Sequence, residues 1–159
     1  MSTREGLCFL LLLPCALVLQ GCRPEPAAPG RPGDRLLLEA KGRKLTVEVA
    51  CDDLSRRRGL QDRERLPEDG GMLFIFPRDE RQDFWMKSTL IPLSIAFLDA
   101  DGKILQIEDM KPHDETNTTS NSKVRFAVEV NKGWFQKNGL GVGDAFSGFS
   151  EKVRIYHQG

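Results

Sequence analysis

Few residues in this chain have the types and spacing to do chemistry. Trp85, Lys87, Ser88 and Thr89 lie in the run Phe84-Trp85-Met86-Lys87-Ser88-Thr89, and Glu129 lies in residues 124–130, a second run of alternating apolar positions. Strand alternation turns Phe84 and Met86 inward and leaves Trp85, Lys87 and Thr89 on the opposite face. The same rule turns Val124, Phe126, Val128 and Val130 inward and Arg125, Ala127 and Glu129 outward. An indole, an ammonium and a carboxylate on one face could floor a shallow cleft. There the ring would stack a sugar or another small polar ligand, and the charges would bind it or move protons. Asp144 completes the candidate ligand-binding set of Trp85, Lys87, Ser88, Thr89, Glu129 and Asp144. The competing reading is a cross-strand ion pair between Lys87 and Glu129 beside a half-buried tryptophan.

No catalytic residue is assigned. The chain has no Gly-x-Ser-x-Gly and no His-Glu-x-x-His, and His113 and His157 stand at unrelated places. Met72, Met86, Met110 and His113 carry the soft donors of a copper site, yet methionine beside aromatic residues is also what a core uses to fill gaps. Asp99-Ala100-Asp101-Gly102 begins like a calcium loop but lacks the acidic ligands that should follow, so it reads as a hairpin turn. No metal and no cofactor are expected. Lysine plus arginine and aspartate plus glutamate each number 23, a balance that offers nucleic acid no basic surface.

The elements that must position these residues begin after an apolar leader. Residues 7–19 are apolar and follow Arg4; they reach about half the length of a bilayer span and read as the core of a secretory signal. Leu19-Gln20-Gly21-Cys22 resembles the lipobox of bacterial lipoproteins, in which a small residue precedes a cysteine that becomes lipidated, palmitate included. Residues 1–21 are then a lipoprotein signal peptide, Cys22 is the lipidation site, 22–34 form a lipidated proline-rich tether, and 35–157 form a single β-rich domain. The alternative is an ordinary cleaved signal followed by an unmodified cysteine. Acyl chains on Cys22 would hold the domain at a membrane. Arg23, where an aspartate would favour inner-membrane retention, fits an outer membrane with the domain facing the periplasm. Cys8 and Cys15 leave with the leader, so Cys51 is the remaining thiol and no intrachain disulfide is expected. Alternation from Leu45 through Val47 and Val49 turns Cys51 inward.

Eight segments with a two-residue period, 36–39, 44–51, 72–76, 84–87, 93–98, 103–107, 124–130 and 153–156, predict a mainly β sandwich or barrel. Both alternating sets of 72–76 are apolar, so that strand should be covered on both faces. A short helix should follow the second strand, capped by Asp52 or Asp53, ended by Gly59, with Leu60 folded back onto Leu54. Arg56, Arg57 and Arg58 then sit at the negative end of its dipole. Acidic neighbours including Asp52, Asp53 and Asp62 make them a solvated, compensated face rather than an anion-binding patch. A second short helix is expected at 134–138. The polar stretch 111–123 is a candidate flexible lid.

Residues 58–98, RGLQDRERLPEDGGMLFIFPRDERQDFWMKSTLIPLSIAFL, and the later VEVNKGWFQKNGLGVGDAF resemble the domain-of-unknown-function family 192 over Val47 to about Phe146. The resemblance implies a jelly-roll-like antiparallel β-sandwich, here of about eight strands with one or two short helices, and it implies no activity. Gln61, Ser88 and Ser94 stand where members commonly carry methionine, asparagine and aspartate. The segment HDETNTTSNSK lacks the cysteines that many members carry there. The sequence therefore reads as an envelope lipoprotein whose domain is a small-ligand or glycan binding module. The alternatives are a structural or assembly partner of other envelope proteins and a glycan-acting enzyme using Lys87 with Glu129 or Asp144.

Overall fold

The computed structural model describes residues 30–156; the expected signal peptide, the expected lipidation site Cys22, most of the proline-rich segment and His157 lie outside the described residues. Gly30 and Gly33 donate their N–H groups to the carbonyls of Ile155 and Val49, so the described end of that segment lies against the domain.

The strands are β1 (Arg35–Ala40), β2 (Arg43–Ala50), β3 (Gly70–Glu80), β4 (Asp83–Phe84), β5 (Leu93–Leu98), β6 (Ile104–Met110), β7 (Thr118–Thr119) and β8 (Val124–Asn131). The helices are α1 (Asp53–Arg58), α2 (Trp134–Lys137) and α3 (Phe149–Val153), which runs into a 3-10 turn, Arg154–Tyr156. Six strands form one sheet in the order β1-β2-β3-β8-β5-β6, and β4 pairs with β7 in a small second sheet. The fold is mainly β, as expected, with a mixed rather than purely antiparallel large sheet. β2 and β3 run parallel because the segment between them, which carries α1, crosses over instead of turning back as a hairpin.

Three local expectations change. Residues 153–156 are helical rather than extended. Phe149 and Val153, four positions apart, are both buried, so the helical period overrides the two-residue one. The expected strand 84–87 pairs only at Asp83–Phe84 before the chain turns, with Ser88 at φ 55°. Leu54 is 77% exposed; Leu60 buries itself against the sheet without it. The α1 caps follow expectation: the Asp52 carboxylate accepts the Ser55 N–H at 2.7 Å, and Gly59 ends the helix at φ 49°. The Asp99–Gly102 turn holds its shape through Asp99 Oδ1, which accepts the N–H groups of Asp101 and Lys103 at 2.9 Å each. The 111–123 segment contributes β7, and the buried Ser120 hydroxyl accepts the Gln82 N–H. Cys51 is half-buried just beyond β2.

Both faces of the sheet are covered. On one, Leu73 and Ile75 of β3 and Phe126, Val128 and Val130 of β8 pack against α2, α3 and the residues between them. On the other, Met72 and Phe74 of β3, Ile95 and Phe97 of β5 and Ala127 of β8 pack beneath Leu60, Phe84 and Met86. The inference from 72–76 therefore extends to β5 and β8. Ala127 and Glu129, expected to face outward, are buried, because the chain from α1 and from 84–91 lies across their face. Met72, Met86 and Met110 are part of that packing, whereas His113 is exposed, so the copper set does not assemble. Among the described residues no three His, Cys, Asp or Glu side chains gather as metal ligands.

Candidate functional site

A cavity of about 490 Å³ opens where the second face of the sheet meets α1 and the chain from 83 to 89. Its floor is aromatic. Phe84 stands edge-on to Phe74, Phe76 and Phe97, with ring centroids 5.0, 6.1 and 5.8 Å away, the arrangement that places positive ring edges on negative ring faces. The N–H of Met86 donates to the Asp114 carbonyl at 2.7 Å, fixing the segment that carries Phe84 and Trp85. The turn at Ser88 then reverses the alternation. Thr89 points inward and is buried, while Trp85 stays at the rim, 52% exposed, with the Lys87 ammonium 5.8 Å from its ring centroid.

Glu129 forms part of the wall and is only 5% exposed. Its cross-strand neighbours are Met72 and Ile95, neither of which can bond a carboxyl group. No hydrogen bond or ion pair holds that carboxyl among the described residues, and burial alone lifts its pKa from 4.5 to about 8. At neutral pH it is therefore protonated, a neutral group able both to donate and to accept inside the cavity. Its backbone is pressed close to β3: a Cβ on Gly71 would sit 2.6 Å from the Glu129 carbonyl oxygen.

α1 supplies the opposite wall. The Arg56 guanidinium donates to the carbonyls of Cys51 and Ile75 at 2.7 and 2.8 Å and to the Asp53 carboxylate at 2.6 Å, and it lies over Phe76. Those bonds tie α1 to β3. Arg57 has a single bond, from Nε to the Asp53 carbonyl, and the Arg58 guanidinium has none among the described residues. Gln61 donates to the Arg57 carbonyl at 3.1 Å. Asp83 on the far side accepts the Thr119 hydroxyl at 2.5 Å.

Of the six residues singled out from the sequence, Trp85, Thr89 and Glu129 meet at this cavity, while Lys87, Ser88 and Asp144 line no part of it. Lys87 is not paired with Glu129 but sits over Trp85. Asp144 lies in the segment packed over the other face of the sheet, where its carboxylate meets Lys41 at 2.8 Å and accepts the Gly141 N–H. Those two partners, Lys41 foremost, hold it below the usual carboxylate range. The arginines of α1 and the rings of Phe74 and Phe76 were not foreseen as cavity walls. Their signals were present, as three consecutive arginines before a helix-ending glycine and as a strand apolar on both faces.

Residues 36–148 match the model of the DUF192 family, described as uncharacterized ACR. Among solved structures, a candidate transcription regulator from Sinorhizobium meliloti is 35% identical, with a TM-score of 0.67 over 71% of this chain and 91% of that one. A protein of unknown function from Novosphingobium aromaticivorans is 26% identical, with a TM-score of 0.65 over 77% of this chain and 94% of that one. No curated protein matches. With that match covering most of its length, the chain belongs to the DUF192 family.

Proposed function

We propose that the protein is a small-ligand binding module, carried on an envelope lipoprotein anchored through Cys22 at the outer membrane and facing the periplasm. The observation that carries the binding reading is Glu129: a carboxyl 5% exposed, without a partner among the described residues, in the wall of a cavity rimmed by a half-exposed tryptophan. A buried polar group is ordinarily bonded, and one left open to a cavity is suited to complete its bonding with a ligand. Trp85, half exposed at the rim, offers an indole on which a sugar or another ring could stack. The enzyme reading, which needs Lys87 beside Glu129 or Asp144, gains nothing from this geometry. Thermal-shift screening with mono- and disaccharides and small organic acids tests the binding reading. Ligands that stabilise the wild type should lose their effect in Trp85→Ala and in Glu129→Gln. Stabilisation that survives both changes would remove this cavity as the site.

A further inference from the structure

The charges around the cavity do not cancel. Asp53 is neutralised by Arg56, whose guanidinium is spent on Asp53 and two backbone carbonyls. Glu129 is uncharged at neutral pH because it is buried. Asp83 is the remaining carboxylate, and it already accepts the Thr119 hydroxyl. Against it stand two guanidinium groups, Arg57 and Arg58, most of whose donors have no partner among the described residues. The rim therefore carries a surplus of positive charge, on planar guanidinium groups of the kind that bond carboxylate, sulfonate or phosphate oxygens. Below the rim the wall turns apolar, with Phe74, Phe76 and Phe84 lining the interior. At about 490 Å³ the space falls within the range of small-molecule pockets and is too small for a two-chain phospholipid.

We infer that the cavity selects a free anionic amphiphile, its acidic head bonded by Arg57 and Arg58 and its ring or short hydrocarbon body lodged against Phe74, Phe76 and Phe84. The inference rests on the binding reading above and gives its ligand a chemical class. Sugars without an acidic group would bind more weakly than anions carrying a ring.

Two fluorescent probes with the same ring system test this: 8-anilinonaphthalene-1-sulfonate, which is anionic, and N-phenyl-1-naphthylamine, which lacks the sulfonate. Each is titrated at neutral pH into the wild type, Trp85→Ala and the double variant Arg57→Gln/Arg58→Gln. The substituted arginines are exposed, and circular dichroism of each variant checks that it is folded before titration. The sulfonate should bind the wild type at one site, about tenfold or more tighter than the neutral probe, and the double variant should abolish that preference. Trp85→Ala should weaken both probes, placing them in the cavity. Equal affinity for the two probes, or a sulfonate affinity unchanged in the double variant, overturns the anionic class and leaves the cavity as a binding site. Binding that Trp85→Ala does not alter, or no saturable binding of either probe, overturns the inference and counts against the binding reading as well.

Discussion

Replacing Glu129 by glutamine should make the protein more stable, by an amount that grows with pH. The carboxyl is buried between Met72 and Ile95, and the ionisable groups sharing its cavity are Asp53, Arg56, Arg57 and Arg58 from α1 and Asp83 from β4, none bonded to it. Its pKa rises from 4.5 to about 8 because burial disfavours the charged form. With the folded value above the unfolded one, the fold retains a proton that the unfolded chain has already released. The resulting stability is complete below about 4.5 and is lost progressively as the pH rises to about 8. At roughly 1.4 kcal/mol per pH unit, the loss is about 3 kcal/mol at neutral pH and about 5 kcal/mol once Glu129 has ionised. Glutamine has nearly the same shape and cannot ionise. The two proteins should therefore match below about pH 4.5, and Glu129→Gln should be increasingly the more stable above it. Urea unfolding followed by tryptophan fluorescence across acidic to mildly alkaline buffers measures the difference, in which titrations shared by both proteins cancel. A difference that stays flat with pH, or a wild type that gains on the variant as pH rises, would refute the reasoning.

Two further changes test other parts of the structure. Phe84→Ala removes the ring that stands edge-on to three other phenylalanines and should cost about 3 to 5 kcal/mol in urea unfolding; a loss below about 1 kcal/mol would show that this face is not packed as described. Cys22→Ser in the full-length protein should abolish palmitate labelling and move the protein from the membrane fraction to the soluble periplasm; a variant still labelled and membrane-bound would refute the anchor.

Much of the sheet was legible because alternation is a local property. The segments 36–39, 93–98 and 124–130 fall on strands, as does 44–51 except for its last residue, and Asp52 with Gly59 bounds α1, since caps and turns depend on a few adjacent residues. Phe149 and Val153 show where such reading fails: at the end of the domain an apolar pair fits either period, and the packing surface beneath it decides. The candidate site was half legible. Trp85 and Glu129 were found by type and face, while Lys87 and Asp144 were grouped with them although their partners, the Trp85 ring and Lys41, lie elsewhere. The arginines of α1 were read as a solvated face because their acidic neighbours in sequence outnumber them; in space Asp53 is committed to Arg56, leaving Arg57 and Arg58 to the rim.

By itself the sequence determined which residues could share a face, where the chain must turn, and the two-sided apolarity of β3. What covers each face was decided only in the tertiary structure. That covering turned Glu129 from an outward carboxylate, free to meet Lys87, into a buried and protonated one, since desolvation depends on atoms brought from α1 and from 84–91, far away along the chain.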